Sequence, residues 1–386
     1  MMVVGVLTLV VAARGSVELG GLTSAMVGAG VACFGPLVGA AADRFGQRTT
    51  LLAVGIANSI GLGALAWIAF SPLPDFVMLA TSFLIGATAP QVAPMSRSRL
   101  VSIAQTKLPA EQRPKTINAP LAYESAADEV VFVFGPVIVG VLAMAFGAWA
   151  PLAGAAALTL FSVTAFALHH TSPPARAHNE LETALAPTSD LWRAPLLVTV
   201  AGIFAVGLFF GAMLTSLTAF MQDFGQADET GILYGVMGVG SAVLAVGVTW
   251  FSPKFTLRYR WLAFAAVLAA GGVLLQTVTD ISSMIVALAV LGLGIGPLLV
   301  TLYGFGAART PAGRSATVMT MLGSGVIVGQ SLASAMTGIV AESVSTQAAL
   351  FLPLAAAILA LLAGVVNWLL TPAGKLPQAT GPLQVP

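Results

Sequence analysis

Charged residues are scarce in this chain. Of its 386 residues only 16 are Lys or Arg and 15 are Asp or Glu, which gives a formal net charge of +1. Soluble globular domains carry about a quarter charged residues, whereas this chain has 8% charged and 58% hydrophobic residues. It also lacks the block of basic residues that nucleic-acid binding requires. We therefore expect a protein that lies in the lipid bilayer and does not bind nucleic acid.

Cysteine and histidine are almost absent, with one Cys and three His in the whole sequence. The single Cys33 excludes an intramolecular disulfide framework, and the histidines offer no spacing for metal ligands. A phosphate-binding G-x-x-x-x-G-K-[ST] motif is missing, and no hydrolase or metalloprotease motif lies at membrane depth. We therefore expect no enzyme activity, no metal and no cofactor.

Long runs without Asp, Glu, Lys or Arg are what the chain has instead. A spanning helix needs about 20 apolar residues, and ten runs are long enough, one of them, 130–175, being of double length. That run divides at the turn signal 147–151, and its first half must begin near Thr116. Residues 1–13 add a twelfth segment of only about 20 Å. We predict an all-α fold of twelve transmembrane helices with a shortened first helix, which a misplaced start codon would explain.

The basic residues predict the orientation, because Lys and Arg collect in cytoplasmic loops. Fifteen of the sixteen fall on one side of the predicted spans, including Arg97 and Arg99 after the fourth span, and only Arg14 falls on the other. We therefore expect a multi-pass protein of the cell membrane with both termini in the cytoplasm. Interface anchors are expected at Trp149, Trp192, Trp250 and Trp261.

The longest hydrophilic stretch, around 169–193, divides the spans six and six. The predicted organisation is an N-terminal six-helix bundle at 1–170, a central cytoplasmic loop at 171–193, a C-terminal six-helix bundle at 194–371 and a cytoplasmic tail at 372–386. Residues 85–90 in the fourth span resemble residues 292–297 in the tenth, which indicates an internal repeat of the kind found in transporters. We expect the protein to be a monomer.

A motif follows the second span, where residues 39–48 read GAAADRFGQR. It resembles the G-x-x-x-D-R-x-G-R-[RK] signature of the major facilitator superfamily, with Gln47 where the family usually has a basic residue. The resemblance implies a secondary transporter that works by alternating access. It also implies a gating latch between the two bundles, formed by Gly39, Asp43, Arg44, Gly46 and Arg48. A simpler interpretation is that the charged members only set the topology.

The fifth span contains three acidic residues, Glu124, Asp128 and Glu129. Counted from Thr116 they lie near the bilayer midplane, where a charged side chain costs roughly 2.5 to 3.5 kcal/mol. Glu124 and Asp128 are four residues apart and share a helix face. They are candidates for proton coupling or substrate contact. The alternative is that they pair structurally with Arg97 or Arg99.

Further along the same span, Gly135, Pro136 and Gly140 partly match the family's antiporter signature and would allow a kink and close packing. Ser82 stands where proton-coupled members have a membrane-embedded arginine, which argues against the usual coupling arrangement. By resemblance the first, fourth, seventh and tenth spans line the cavity, and the polar side chains they offer are uncharged. The weak candidates for the lining are Gln91, Thr215, Gln222 and Tyr303.

Such a lining suits an uncharged or amphiphilic solute better than a dicarboxylate or a phosphate. Hydroxyl side chains in spans also commonly bond their own helix backbone, which is the structural alternative. The leading prediction is efflux of a small lipophilic or amphiphilic substrate, with proton coupling as a further expectation. The alternatives are an uptake permease for a neutral metabolite and a membrane sensor or scaffold that does not transport.

Overall fold

The structure is a computed structural model that describes residues 2–15, 17–107, 123–124, 127, 131, 135, 138–139, 141–172, 185–226, 230–252 and 254–371. All regular secondary structure in these residues is helical. Ten of the described helical segments are long and apolar enough to cross a membrane.

Six helices have defined bounds among the described residues before residue 170. They are α1 (Met2–Arg14), α2 (Val17–Phe45), α3 (Gln47–Ile68), α4 (Asp75–Ala87), α5 (Val92–Lys107) and α6 (Ala150–Leu168). Helix α2 packs on α1 and α4, and α3 packs on α6. The short α1 is part of this bundle, because its Val6, Leu9 and Val10 are fully buried.

The second half begins with a 3₁₀ turn, Thr188–Trp192. Its helices are α7 (Ala194–Asp223), α8 (Thr230–Gly247), α9 (Leu257–Leu275), α10 (Ile281–Arg309), α11 (Ser315–Ser343), the short α12 (Thr346–Ala349) and α13 (Phe351–Leu370). A 3₁₀ turn, Val248–Trp250, extends α8. Helix α7 packs on α11 and α13, and α10 packs on α8 and α9.

Helices α4 and α5 are two parts of one span, interrupted at residues 88–91. Pro90 has no N–H to donate and disfavours helical backbone at the residue before it. The Ile85 carbonyl, which a continuous helix would pair with the Ala89 amide, accepts instead from Asn58 Nδ2 at 2.7 Å. The interruption was not foreseen from the sequence.

The two repeat segments, 85–90 and 292–297, form equivalent helix contacts in the two halves. Gly86 brings α4 against the backbone of Val27 in α2, and Gly292 brings α10 against the backbone of Met237 in α8. Glycine allows such close approach because it has no Cβ. The halves differ at proline, since α10 continues through Pro297 and the Thr301 hydroxyl donates to the Pro297 carbonyl at 2.7 Å.

Trp261 is a correction to the predicted interface anchors. Trp149, Trp192 and Trp250 are exposed, as expected, but Trp261 is fully buried. Its Nε1–H donates to the Ala360 carbonyl of α13 at 3.0 Å. The indole fits between helices because Gly364 leaves room for it. Trp261 therefore joins α9 to α13 in the core of the second half.

The two ends of the bundle differ in charge. We call the end formed by the α2–α3, α6–α7, α8–α9 and α10–α11 connections the basic end, since it carries Arg44, Arg48, Arg193, Lys254 and Arg314. At the opposite end Arg14 donates to the carbonyls of Ala69, Ser71 and Leu73. There too Asp280 forms a capping box with Ser283 at the start of α10, and the Ser283 backbone hydrogen bond lowers the pKa of Asp280.

Candidate functional site

The two halves meet along α2 and α11. Glycines of α2 face hydroxyl side chains of α11 in order, Gly28 against Ser331, Gly35 against Ser324 and Gly39 against Thr320. A Cβ added at Gly28 would lie 2.9 Å from Ser331 Oγ, and one added at Gly39 would lie 2.8 Å from the Ala316 carbonyl. The junction is therefore a close contact of small side chains and backbone.

Asp43 extends this junction to the basic end. Its Oδ1 accepts from the Ala316 amide at 3.0 Å. Its Oδ2 accepts from the Thr317 amide at 2.7 Å and from the Thr317 hydroxyl at 2.6 Å. These amides belong to the first turn of α11, where helix N–H groups lack partners within the helix and a negative charge is favoured. The carboxylate of the first half thus caps a helix of the second half.

The other members of the 39–48 motif have different surroundings. Arg44 and Arg48 are exposed, and Arg44 Cζ lies 5.4 Å from the Phe45 ring. Gly46 is buried and has a φ of 87°, a conformation that glycine adopts without steric cost. It forms the turn between α2 and α3. The contact across the halves is thus made by Asp43, with Gly39 allowing the approach.

Gln47, the departure from the family motif, is a buried connector that sequence reasoning missed. Its Nε2 donates to Ser98 Oγ at 2.7 Å, and its Oε1 accepts from Arg99 Nε at 2.7 Å. Arg99 also donates to the Phe166 carbonyl at 3.0 Å, and its guanidinium lies 3.7 Å from the Phe166 ring centroid. Gln47 and Arg99 together tie α3, α5 and α6 at the basic end. A neutral partner is required because a second cation would repel Arg99.

Arg97 and Arg99 correct the sequence interpretation in another way. The sequence pattern places them at the cytoplasmic junction after the fourth span, yet both are buried within α5. Arg97 Cζ lies 4.0 Å from the ring centroid of Tyr303 on α10, so this contact also crosses between the halves. Hydropathy ends the span near residue 96, but the helix continues to Lys107.

The central connection is attached to the same end. Arg314 Nε donates to the Ala186 carbonyl at 2.6 Å, and the Ala186 amide donates to the Ala312 carbonyl at 3.0 Å. Arg314 directly precedes α11, whose first turn binds Asp43. The turn before α11 is thus held by the connection between the halves as well as by the first half.

These contacts place Asp43 between the two halves, and comparison with known proteins identifies the family. The sequence profile described as Major Facilitator Superfamily matches residues 1–324. The chain belongs to the major facilitator superfamily. A comparison with curated proteins finds no match.

Solved structures of superfamily transporters share this fold. The human organic anion transporter MFSD10 (TETRAN) is similar with a TM-score of 0.66 and 18% identity, over 90% of this chain and 83% of that one. The fucose:proton symporter FucP of E. coli is similar with a TM-score of 0.67 and 12% identity, over 95% and 96%. A bacterial homologue of the iron transporter ferroportin gives 0.68 and 11%, over 95% and 98%. The all-α, twelve-helix fold and the family predicted from the sequence are confirmed.

The acidic residues of the fifth span are candidates for proton coupling, and the structure describes one of them, Glu124. It is half-buried, and its Oε1 accepts from Ser96 Oγ at 2.6 Å. Ser96 is about 3 Å along α5 from Ser98, which contacts Gln47 at the start of α3. Glu124 therefore lies towards the basic end and not at the midplane depth that its sequence spacing predicts. Asp128 and Glu129 lie outside the described residues.

The remaining candidates of the fifth span and the cavity are spread out. Gly135 is buried, and Pro136 and Gly140 lie outside the described residues. Among the predicted lining residues Gln91 and Tyr303 are buried, Thr215 is half-buried and Gln222 is exposed. Several neighbouring hydroxyls bond their own helix, as the structural alternative predicted: those of Ser216, Thr218 and Thr301.

A shallow, open surface pocket of about 470 Å³ lies beside the α2–α11 junction. Its walls include Ala32 and Pro36 of α2, Ala201 and Phe204 of α7, and Ser324 of α11. The Ser324 hydroxyl is buried and has no hydrogen-bond partner among the described residues. The pocket is otherwise lined by apolar side chains.

Proposed function

We propose that this superfamily transporter moves a small lipophilic or amphiphilic solute by alternating access, in the direction of efflux. The observation that carries the proposal is the capping of α11 by Asp43. These hydrogen bonds join the two halves at the basic end, and they can break when the halves part. In alternating access the halves part at each end in turn. The structure then corresponds to the state in which the basic end is closed.

The basic end is the cytoplasmic end in this proposal. Within the described residues Arg14 is the basic residue found at the opposite end, and it pairs with Asp75 at 4.0 Å. Retention of Lys and Arg on the cytoplasmic side accounts for this asymmetry. The loop at 171–193 is then cytoplasmic and the protein resides in the cell membrane.

The solute class follows from the side chains that the two halves present to each other. The polar groups there are hydroxyls and amides, such as Ser324 and Gln91, beside Met, Phe and Leu. The buried cations of α5, Arg97 and Arg99, are each already engaged by protein groups. A site of this kind binds an apolar body and orients it with few hydrogen bonds.

Proton coupling is part of the proposal, and it is assigned to the acids of the fifth span. Glu124 is half-buried and bonded to Ser96, so it lies where protons from the basic side could reach it. The sequence spacing predicts Asp128 one helical turn further along. An acidic pair at such positions could pass protons only if one member reaches the cavity.

A second candidate function is uptake of a neutral metabolite. It is favoured by the similarity of the fold to the fucose:proton symporter of E. coli and by the hydroxyls and amides described above. That similarity is one of fold, at 12% identity, so it does not decide the substrate. The two candidates differ in the side from which solute binds and in its polarity.

The test is flux in inverted vesicles under an imposed pH gradient. With the gradient acid inside, efflux predicts accumulation of an uncharged lipophilic dye, and the Asp43→Asn variant should accumulate it more slowly. Uptake of a labelled neutral sugar into right-side-out vesicles with the gradient acid outside would instead support the second candidate. A protein that moves neither probe in either orientation would contradict both and leave the sensor or scaffold interpretation.

A further inference from the structure

Arg97 and Tyr303 form a contact that the family motif does not contain. Arg97 is 1% exposed and Tyr303 is 4% exposed. The guanidinium carbon lies 4.0 Å from the ring centroid, well inside the roughly 6 Å range of a cation–π interaction. Because α5 belongs to the first half and α10 to the second, the pair bridges the halves.

The position of the pair differs from that of Asp43. The Asp43 contact lies on the α2–α11 junction, whereas α5 and α10 belong to the fourth and tenth spans. Next to the pair Pro94 of α5 also meets α11, since a Cβ at Gly323 would lie 2.9 Å from Pro94 Cγ. The first half therefore contacts the second through two helices, α2 and α5.

Burial raises the energetic weight of the pair. A cation–π interaction contributes more to stability when its two groups are desolvated than when they are exposed. Arg99, two residues further along, is held within the first half by Gln47 and the Phe166 carbonyl. Arg99 thus fixes helix α5 to its own half, and Arg97 contacts the other half.

We propose that Arg97 and Tyr303 form a second closure contact at the basic end, which positions α5 against α10 independently of Asp43. The proposal rests on the alternating-access function proposed above. In the open state the halves part, so the guanidinium and the ring face separate and water reaches both. Loss of either side of the pair then shifts the population towards the state open at the basic end.

The experiment measures accessibility and needs no substrate. Cys33 is exchanged for Ser, and a reporter is introduced by Ala307→Cys, because Ala307 is buried and lies one turn from Tyr303 on the same face of α10. Inverted vesicles are treated with a membrane-impermeant maleimide, and the alkylation rate is measured. We expect Arg97→Gln and Tyr303→Leu each to raise the rate about tenfold.

Two conservative variants separate this role from a general loss of packing. Tyr303→Phe keeps the ring face, so its rate should stay within twofold of the parent, and Arg97→Lys keeps the cation, so its rate should fall between parent and Arg97→Gln. The Arg97→Gln, Tyr303→Leu double variant should be no faster than either single one, because the two residues act as a pair.

Several outcomes would overturn the proposal. They are an unchanged rate in Arg97→Gln, a rise in Tyr303→Phe as large as in Tyr303→Leu, or additive effects in the double variant. If Arg97→Gln does not fold, the comparison of the two Tyr303 variants still decides. A transporter that fails the flux test above but shows this pattern would keep the contact and lose the proposed substrate class.

Discussion

Gly39 faces Thr320 so closely that a methyl group on its α-carbon would overlap the threonine hydroxyl. The same methyl would lie 2.8 Å from the Ala316 carbonyl and 3.0 Å from the Thr317 α-carbon. Two of these three neighbours are backbone, so they cannot rotate away. The closed junction therefore depends on the absence of a side chain at residue 39.

Gly39→Ala should hold the basic end open. The added Cβ forces α2 and α11 apart, and the open state relieves the overlap, so we expect alkylation of the Ala307→Cys reporter from the basic side to rise roughly tenfold. The matched control is Gly63→Ala in α3, where a Cβ meets nothing within 4 Å. Equal rates in the two variants would show that the close approach does not govern closure.

Asp43→Asn should weaken closure while preserving shape. An amide can accept one of the two backbone hydrogen bonds, but it loses the charge that favours the start of α11, which typically contributes 0.5 to 2 kcal/mol. We expect a threefold to thirtyfold rise in reporter alkylation. Thr317→Val, which removes one hydroxyl donor, should give a smaller rise. A larger effect from Thr317→Val would indicate that the carboxylate charge is secondary.

Gln47→Arg should destabilise the first half although it restores the residue usual in the family. The new cation would meet Arg99 in a buried position, and loss of the charged hydrogen bond costs about 1.5 to 3 kcal/mol. We expect a lower midpoint of thermal unfolding in detergent. Adding Arg99→Gln exchanges the two side chains and should recover most of the loss. Failure of the exchange to recover stability would contradict the pairing.

Glu124→Gln and Asp128→Asn should differ in transport. The amide of Glu124→Gln can still accept from Ser96, and Glu124 lies near the basic end, so we expect gradient-driven flux to continue at a reduced rate. Asp128→Asn should abolish gradient-driven flux and spare exchange at equal pH. Both variants should insert normally, since removing a charge from a span favours insertion. Unchanged flux in the double variant would exclude these acids as proton carriers.

The fold was largely predictable because hydrophobic length is set by membrane thickness. The apolar runs predicted the ten spans found among the described residues, and the division at 171–193 stays a prediction. What failed was local. Pro90 and Pro297 look alike in the sequence, yet of these two spans the fourth is interrupted and the tenth is not. At the interruption Asn58 donates to the Ile85 carbonyl, a partner that the local sequence does not reveal. Trp261 was predicted to be an interface anchor but is buried. The local sequence near a span end does not show whether a tryptophan faces the bilayer surface or the interior of the bundle.

The site was predictable to the extent that it is encoded by a motif. The motif pointed to Asp43, and the structure places Asp43 at the first turn of α11. Arg97 and Arg99 were placed at a cytoplasmic junction and Gln47 was given no role, because charge patterns indicate loops unless a partner is known. Their partners, Tyr303 and Phe166, are far away in the sequence. The one sequence signal for this cluster was Gln47, an uncharged residue at a position where the family usually has a cation.

The junction between α2 and α11 has a further consequence for how easily the protein changes state. Its facing residues are glycine, serine and threonine, so parting the helices exposes little apolar surface. Exposing apolar surface to water costs about 25 cal/mol per Å², so the hydrophobic cost of parting the helices is small. The free energy that separates the two states is then concentrated in a few polar and aromatic contacts. A single side-chain substitution at one of them can reset the conformational equilibrium without changing the fold.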